Sequence, residues 1–395
     1  MDRLRGCIEE LVKFTLESHI NRVLDFDLGL SQEFCSNLLK YDSAHVSLAN
    51  ADAEDIFEGV PPYPLYKRLA LALHHSLVSG AFCGRQNKMV LPTVEDISMK
   101  QKAEWNQLIM DKGRQLINIM DKIIFELHVL EPFFSHLKDG LKTAEGRCAI
   151  REYSSIEPGA VILCNKCLVL EVQNVRRYAS FMEMLEAEDI DKVLPGVKTV
   201  EEGLQMYRKF YTEEEERSKR VLAICVSKLG AQPFILLASI LSGLNYGGVQ
   251  SLLGLAHTTG TISDALPPPK STLLSSFMLP YNPNVKGSTL TVGARALAKH
   301  ADRSSNRHWG VLKGSDSSKN KHAVDIISDL IAHSCWLNVH VDQPHGAVFE
   351  IRKAQGYGAR WSNHGTKVQI THRSMLVIFF YLFKDMFSAC EIIHM

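Results

Sequence analysis

The chain has 395 residues, more than one hydrophobic core normally organises, so two or three domains are expected. Apolar residues at 46% and charged residues at 22% exclude a disordered or collagen-like chain. Lys plus Arg equals Asp plus Glu at 44 each, so net charge points to neither a nucleic acid nor a membrane surface. The distribution is uneven, however. Residues 284–373 hold thirteen Lys and Arg against six Asp and Glu, together with eight of the sixteen His. The nine Cys are odd in number, scattered and set in apolar surroundings, and no secretory leader is read before them. Free thiols in an intracellular protein, nuclear or cytoplasmic, are expected.

Residues 1–125 read as a helical domain. Leu4, Ile8, Leu11, Val12 and Leu16 recur at helical spacing, with Arg5, Glu9 and Lys13 on the other face. Leu30–Leu39 predicts a second helix capped by Ser31. Pro61, Pro62 and Pro64 open a third through Leu69, Leu71 and Leu73, and a last helix is expected from about Val94 to Leu127. These helices offer a surface to protein partners but carry no chemistry. His74, His75 and Cys83 lack a second ligand pair at zinc spacing.

Residues 126–229 change period. Val161–Leu163, Leu168–Val175 and Val221–Val226 predict strands, with a turn at Asn165-Lys166 and helices over Phe181–Glu188 and Val200–Phe210. Glu213–Glu216 reads as a solvated turn. Short strands interrupted by short helices suggest a small barrel or mixed sheet. Residues 230–283 form a low-charge connector, helical over Phe234–Leu241 and Val249–Leu255, ending in the stiff run Pro267–Pro269. Residues 284–373 read as a basic α+β unit. Its helix spans Lys321–Ala332, and its strands Trp336–Val341 and Ala347–Arg352 are joined by a Pro344-His-Gly turn. Residues 374–395 are an apolar tail within the Phe-rich stretch Val368–Met395, readable as a docked strand. Met375–Phe383 is too short to span a membrane, and no membrane partner is expected.

The sharpest motif is Gly140-Leu-Lys142-Thr-Ala-Glu145-Gly-Arg147. A helix ends at Gly140, and in the extended chain that follows Thr143, Glu145 and Arg147 share a face. Lys142 sits at the mouth, beside them. Two cations and a carboxylate so gathered can bind phosphate through Lys142 and Arg147 while Glu145 accepts a base amino group. The same three charges would also serve as a surface ion pair.

This segment resembles the G-x-K-x-x-E-x-R signature of the ASCH (activating signal cointegrator homology) family, whose members are PUA-like β-barrels. The likeness continues through Glu157-Pro-Gly159, Val161-Ile-Leu, Leu168–Tyr178, Ser180-Phe181, Leu194-Pro-Gly196, Val200-Glu-Glu202, Tyr207 and Tyr211. It covers about residues 127–229, and the arrangement also resembles plant RNA-binding ASCH proteins. The resemblance implies a barrel cleft that binds RNA. Some small members are amidohydrolases on acylated cytidine, using the motif Lys, a Thr three residues on and a carboxylate before the last strand. Lys142 matches the first, and Glu201 or Glu202 would supply the last. Glu145 stands where that Thr belongs, and pairing with it would keep Lys142 protonated and a poor base.

The region 126–229 is itself acidic by three charges, so phosphate affinity has to come from elsewhere. The basic unit can supply it: Arg295, Arg303, Arg307, Lys319, Lys321 and Arg360 are interleaved with Trp309 and Trp361, as stacking on unpaired bases requires. Burial of one or both Trp as core anchors is the competing expectation. Cys164-Asn-Lys-Cys167 is a lone C-x-x-C, and Cys335 with His333, His340 and His345 matches no metal spacing, so neither metal nor cofactor is expected. The expectation is an α+β protein with an N-terminal helical domain, an ASCH barrel and a basic C-terminal unit. Its expected function is RNA binding through Lys142, Glu145 and Arg147 plus the basic block. The alternatives are a nucleoside amidohydrolase, or a scaffold of a transcription-coactivator assembly.

Overall fold

The computed structural model describes residues 2–42, 58–84, 99–301, 309–343, 346–362 and 364–372. Helix α1 (Asp2–Ile20) buries Ile8, Leu11, Val12 and Leu16, the stripe its spacing predicts. Helix α2 (Gln32–Leu39) begins where Ser31 Oγ accepts the Phe34 N–H, and α3 (Leu65–Ser79) follows the proline cluster. The long helix expected over 94–127 is instead α4 (Met99–Leu108), a π turn (Ile109–Gly113) and α5 (Arg114–Met120), succeeded by strand β1 (Ile123–Leu127). Residues 94–98 lie outside the described residues. β1 leaves the helix because Ile123-Ile124-Phe125 favours extended backbone and finds a parallel partner in β3.

Helix α6 (Phe133–Asp139) stops at Gly140, whose φ of 78° is the left-handed cap, and β2 (Ala144–Cys148) follows. Strands β3 (Val161–Cys164) and β4 (Leu168–Tyr178) are joined by Asn165 and Lys166, both at positive φ, as the turn reading expects. Helices α7 (Phe181–Ala187), α8 (Ile190–Val193) and α9 (Val200–Tyr207) are capped by Ser180, Asp189 and Thr199. The Glu213–Glu216 run is no solvated turn. It opens α10 (Glu213–Lys219) with a Thr212/Glu215 capping box, and Glu216 is buried, accepting the Phe181 N–H and pairing with Arg208. Strand β5 (Val221–Lys228) then completes a five-stranded sheet of order β1-β3-β4-β5-β2, antiparallel except for β1–β3. The pairings among the described residues form this open order and show no closed barrel.

Helix α11 (Pro233–Leu252) is, among the described residues, the helix long and apolar enough to cross a membrane. Asn245 breaks it with non-helical backbone, and Leu237, Ile240, Leu241, Leu244 and Val249 are fully buried, the pattern of a core helix. The proline run is followed directly by α12 (Lys270–Met278), which the composition of that stretch did not suggest. Helices α13 (Val292–Ala301) and α14 (Asp316–His333) precede an antiparallel meander: β6 (Trp336–Asp342), β7 (Gly346–Arg352), β8 (Tyr357–Ser362) and β9 (Val368–His372). Pro344, His345 and residues 373–395 lie outside the described residues, so the turn and tail expectations are met only by Gly346 at positive φ and by β9.

Two compact units result. One comprises residues 1–29, 77–81 and 106–243, the other 30–76, 82–105 and 244–395, so residues 1–125 are shared between them. The first is built around the five-stranded sheet, with Phe181, Met184, Val193, Tyr207, Val221 and Ala223 in one buried cluster. The second centres on the four-stranded sheet, where Leu337, Val339, Phe349, Ile351, Ala359 and Trp361 are buried. Trp361 Nε1 donates to the Leu273 carbonyl of α12, which marks the apolar face as the one covered by helices.

Candidate nucleic-acid interface

The three motif side chains do converge. Register pairs Glu145 with Ile224 and Arg147 with Leu222, so both project from one side of the edge strand β2. The Gly140 cap turns the chain so that the Leu141 and Lys142 N–H groups both donate to the His136 carbonyl, bringing Lys142 alongside. Its Nζ lies 3.0 Å from Glu145 Oε2, and Arg147 Nε lies 2.9 Å from Glu145 Oε1. Burial alone would raise the Glu145 carboxyl, but Lys142 and Arg147 outweigh it and hold the group below its usual range. Glu145 is thus an ionised acceptor in a nearly dry site.

Lys142 is not at the mouth as its sequence position suggested. Its side chain is 1% exposed, and Nζ also donates to the carbonyls of Ala144 (2.7 Å) and Val193. With Glu145 these exhaust the three N–H groups of an ammonium, so Lys142 positions the carboxylate and has no proton left for a phosphate. Arg147 is 18% exposed; it donates to the His128 carbonyl (2.5 Å) and hydrogen-bonds Tyr211. Burial works against its charge, but Glu145 and Tyr211 more than offset that.

These groups floor a cavity of about 250 Å³. Its walls are apolar and aromatic: Phe133, Leu194, Met206, Tyr207 and Tyr211. Leu130 and Phe210 stand at the rim, 50% and 60% exposed. Tyr207 stacks on Phe181 with centroids 4.2 Å apart, and burial, then the Glu145 charge, push its hydroxyl well above the usual range. Gly146 makes this wall possible, because a Cβ there would lie 2.4 Å from Tyr207 Oη. The volume falls below the roughly 300–1,000 Å³ of drug-sized sites. It suits one planar ring, with aromatic faces to stack on and a carboxylate to accept from its edge. Sequence reasoning missed Phe133, Met206 and Phe210. The spacing of Met206, Phe210 and Tyr211 at the end of α9 was the available signal.

Glu201 and Glu202 do not reach the cavity. Both are exposed in the first turn of α9, where Glu202 Oε2 accepts the Lys198 N–H. Neither therefore supplies beside Lys142 the carboxylate that amide hydrolysis requires.

In the basic unit the expectations divide. Trp309 and Trp361 are each 1% exposed and belong to the core, which corrects their assignment to base stacking. Arg360 is 9% exposed and bound to Asp342 and Glu350, so it is no free phosphate cation. Arg303 and Arg307 lie outside the described residues. Arg295 on α13 is half-buried, its guanidinium 5.6 Å from the Tyr281 ring centroid. On α14 Lys319 is half-buried and Lys321 exposed. Cys164 and Cys167 are buried free thiols; burial raises the first to about 12 and the second further, which disfavours the thiolate that metal or redox chemistry needs. Among the described residues no three His, Cys, Asp or Glu are grouped to hold a metal.

A family model described as the CdiA C-terminal tRNase toxin domain matches residues 281–368, and one described as the ASCH domain matches residues 127–229. The crystal structure of hypothetical protein PH0355 is 40% identical over 27% of this chain and 98% of its own, with a TM-score of 0.26. The solution structure of protein PF0455 from Pyrococcus furiosus is 42% identical over the same shares, with a TM-score of 0.25. No curated protein matches the chain. The segment 127–229, which carries the Lys142–Glu145–Arg147 cluster, is thus an ASCH domain within the chain.

Proposed function

We propose that the chain binds RNA, with one unpaired nucleobase held in the Glu145 cavity and phosphates held by cations of the basic unit. The observation that carries this reading is an ionised, 7% exposed carboxylate at the floor of an aromatic-walled cavity sized for one ring. Such a carboxylate accepts from the amino or imino edge of a base, and Phe210 at the rim offers it a stacking face. In this reading the five-stranded sheet is the wall of a PUA-like barrel, and Arg295, Lys319 and Lys321, with Arg303 and Arg307, track the backbone. The tRNase name of the second matching family favours transfer RNA as the RNA bound. The protein is proposed to act inside the cell, where that RNA resides. Amide hydrolysis is not favoured, since Lys142 has spent its protons and Glu201 and Glu202 lie elsewhere.

The test is photocrosslinking of bulk tRNA to the purified chain, with the attached peptides mapped. Crosslinks are expected at Phe133 or Phe210 and on α13 or α14. Replacing Arg295, Lys319 and Lys321 together by Ala should weaken retention and flatten the dependence of log affinity on log salt by about 0.7 for each phosphate no longer neutralised. Absence of crosslinks from the cavity peptides refutes the reading.

A further inference from the structure

The floor of the Glu145 cavity keeps hydrogen-bonding capacity that the protein does not use. Lys142 has none left, because Nζ is shared among Glu145 and the carbonyls of Ala144 and Val193. An ionised carboxylate offers about four lone-pair sites. Among the described residues Glu145 meets one cation at each oxygen, Lys142 Nζ at 3.0 Å and Arg147 Nε at 2.9 Å, so an acceptor site remains on either oxygen. Arg147 has about five N–H groups to give. Nε faces Glu145, Nη2 donates to the His128 carbonyl and a further bond goes to Tyr211, so among the described residues the guanidinium still has donors in hand. The hydroxyls of Tyr207 and Tyr211 are bound to the Gly146 backbone and to Arg147.

These spare groups follow one another along the floor. Glu145 and Arg147 project from the same side of β2, touch each other, and both line the cavity. A flat ligand lying against them meets a pair of acceptor sites and then donors, so its own edge has to read donor, donor, acceptor. Among the RNA bases, guanine alone presents that order on its Watson–Crick edge, through N2–H, N1–H and O6. Cytosine and adenine each set one amino donor beside a ring acceptor, and uracil places its single N–H between two carbonyls. An acceptor pressed against a buried carboxylate leaves both groups unpaired, which costs more than a bond simply not made. Aromatic walls around a carboxylate also suit a methylated ammonium. Here two cations against one carboxylate leave the floor net positive, so it favours a neutral ring over a cation.

We infer that the cavity selects guanine among unpaired RNA bases, with Glu145 accepting from N1–H and N2–H and Arg147 donating to O6. This deepens the RNA-binding reading and rests on it for the class of ligand. Phe210, 60% exposed at the rim, supplies a stacking face that is indifferent to the base, so the choice is made at the floor. Lys142 fixes the carboxylate in place, and Arg147 completes the match. Because the Watson–Crick edge is the one read, a guanine already paired in a duplex is excluded.

The test uses the full chain and short oligouridylates that carry a photoactivatable thiouridine beside one central guanosine, adenosine, cytidine, inosine or N1-methylguanosine. The guanosine strand is expected to bind most tightly and to crosslink at Phe133 or Phe210. Inosine keeps O6 and N1–H but lacks the N2 amino group, so its strand should bind about 10-fold more weakly. The adenosine, cytidine and N1-methylguanosine strands should fall by about 100-fold in cavity crosslinking. Glu145→Gln exchanges one acceptor for an amide donor and should abolish the preference for guanosine. Should E145Q not fold, the inosine and N1-methylguanosine strands on the wild type decide. Equal crosslinking of all strands, preference for another base, or inosine equal to guanosine each overturns the inference and leaves the RNA-binding reading standing. No cavity crosslink with any strand removes both.

Discussion

Glu145→Gln is the most discriminating perturbation of the ASCH segment. The replacement keeps the shape and one acceptor but removes the charge shared by Lys142 Nζ at 3.0 Å and Arg147 Nε at 2.9 Å. The Lys142 side chain is 1% exposed, so its buried ammonium would lose its counter-charge and be left with neutral acceptors, among them the carbonyls of Ala144 and Val193. Removing one partner of a buried ion pair costs about 3–5 kcal/mol. For a unit of this size, that corresponds to a fall of roughly 10 °C in melting temperature. Calorimetry of the full chain reads it. Adding Lys142→Met removes the orphaned cation, so the double variant should recover part of the loss. The pH dependence has a defined sign. Because the folded carboxyl is held below its ordinary value of 4.5, its stabilisation is complete above that pH and is lost as pH falls through the folded value. The wild type should therefore lose stability on acidification more steeply than E145Q. A loss under about 1 kcal/mol in E145Q, or a double variant that is the plain sum of the singles, would refute the ion-pair argument.

Two further outcomes follow from packing. Gly146→Ala places a Cβ 2.4 Å from Tyr207 Oη and 2.8 Å from Met184 Cε, so it should displace the Tyr207 wall and abolish cavity crosslinks. Tyr207→Phe in the same background, by clearing the hydroxyl, should restore part of them. Trp361→Ala should destabilise the basic unit by about 3–5 kcal/mol, visible in Trp fluorescence melts, while RNA retention of the protein that remains folded stays near wild type. Loss of retention without loss of stability would return Trp361 to the binding surface.

Much of the candidate site was legible because its determinants are local. Left-handed backbone after α6 demands Gly140, side-chain caps at Ser31, Ser180 and Thr199 start helices, and period-two alternation joins Glu145 to Arg147. The basic unit was read less well. Arg and Trp interleaved along β8 resemble a stacking surface in one dimension, yet alternation sends Trp361 into the core and Arg360 to the opposite, polar face. Composition is the same in both cases; only the cover on each face differs.

By itself, then, the order of residues determined where helices begin and end, which side chains share a face, and that one segment carries the ASCH signature. The tertiary structure decided what depends on distant chain. The Val193 carbonyl captures Lys142 from 51 residues away and turns an apparent phosphate ligand into a prop. β1 becomes a strand because β3 lies beside it, and Glu350 gathers Arg352, Arg360 and His340 only once three strands are in register. Burial and charge compensation are sums over neighbours that periodicity cannot name, which is why pocket and ion-pair roles waited for the fold.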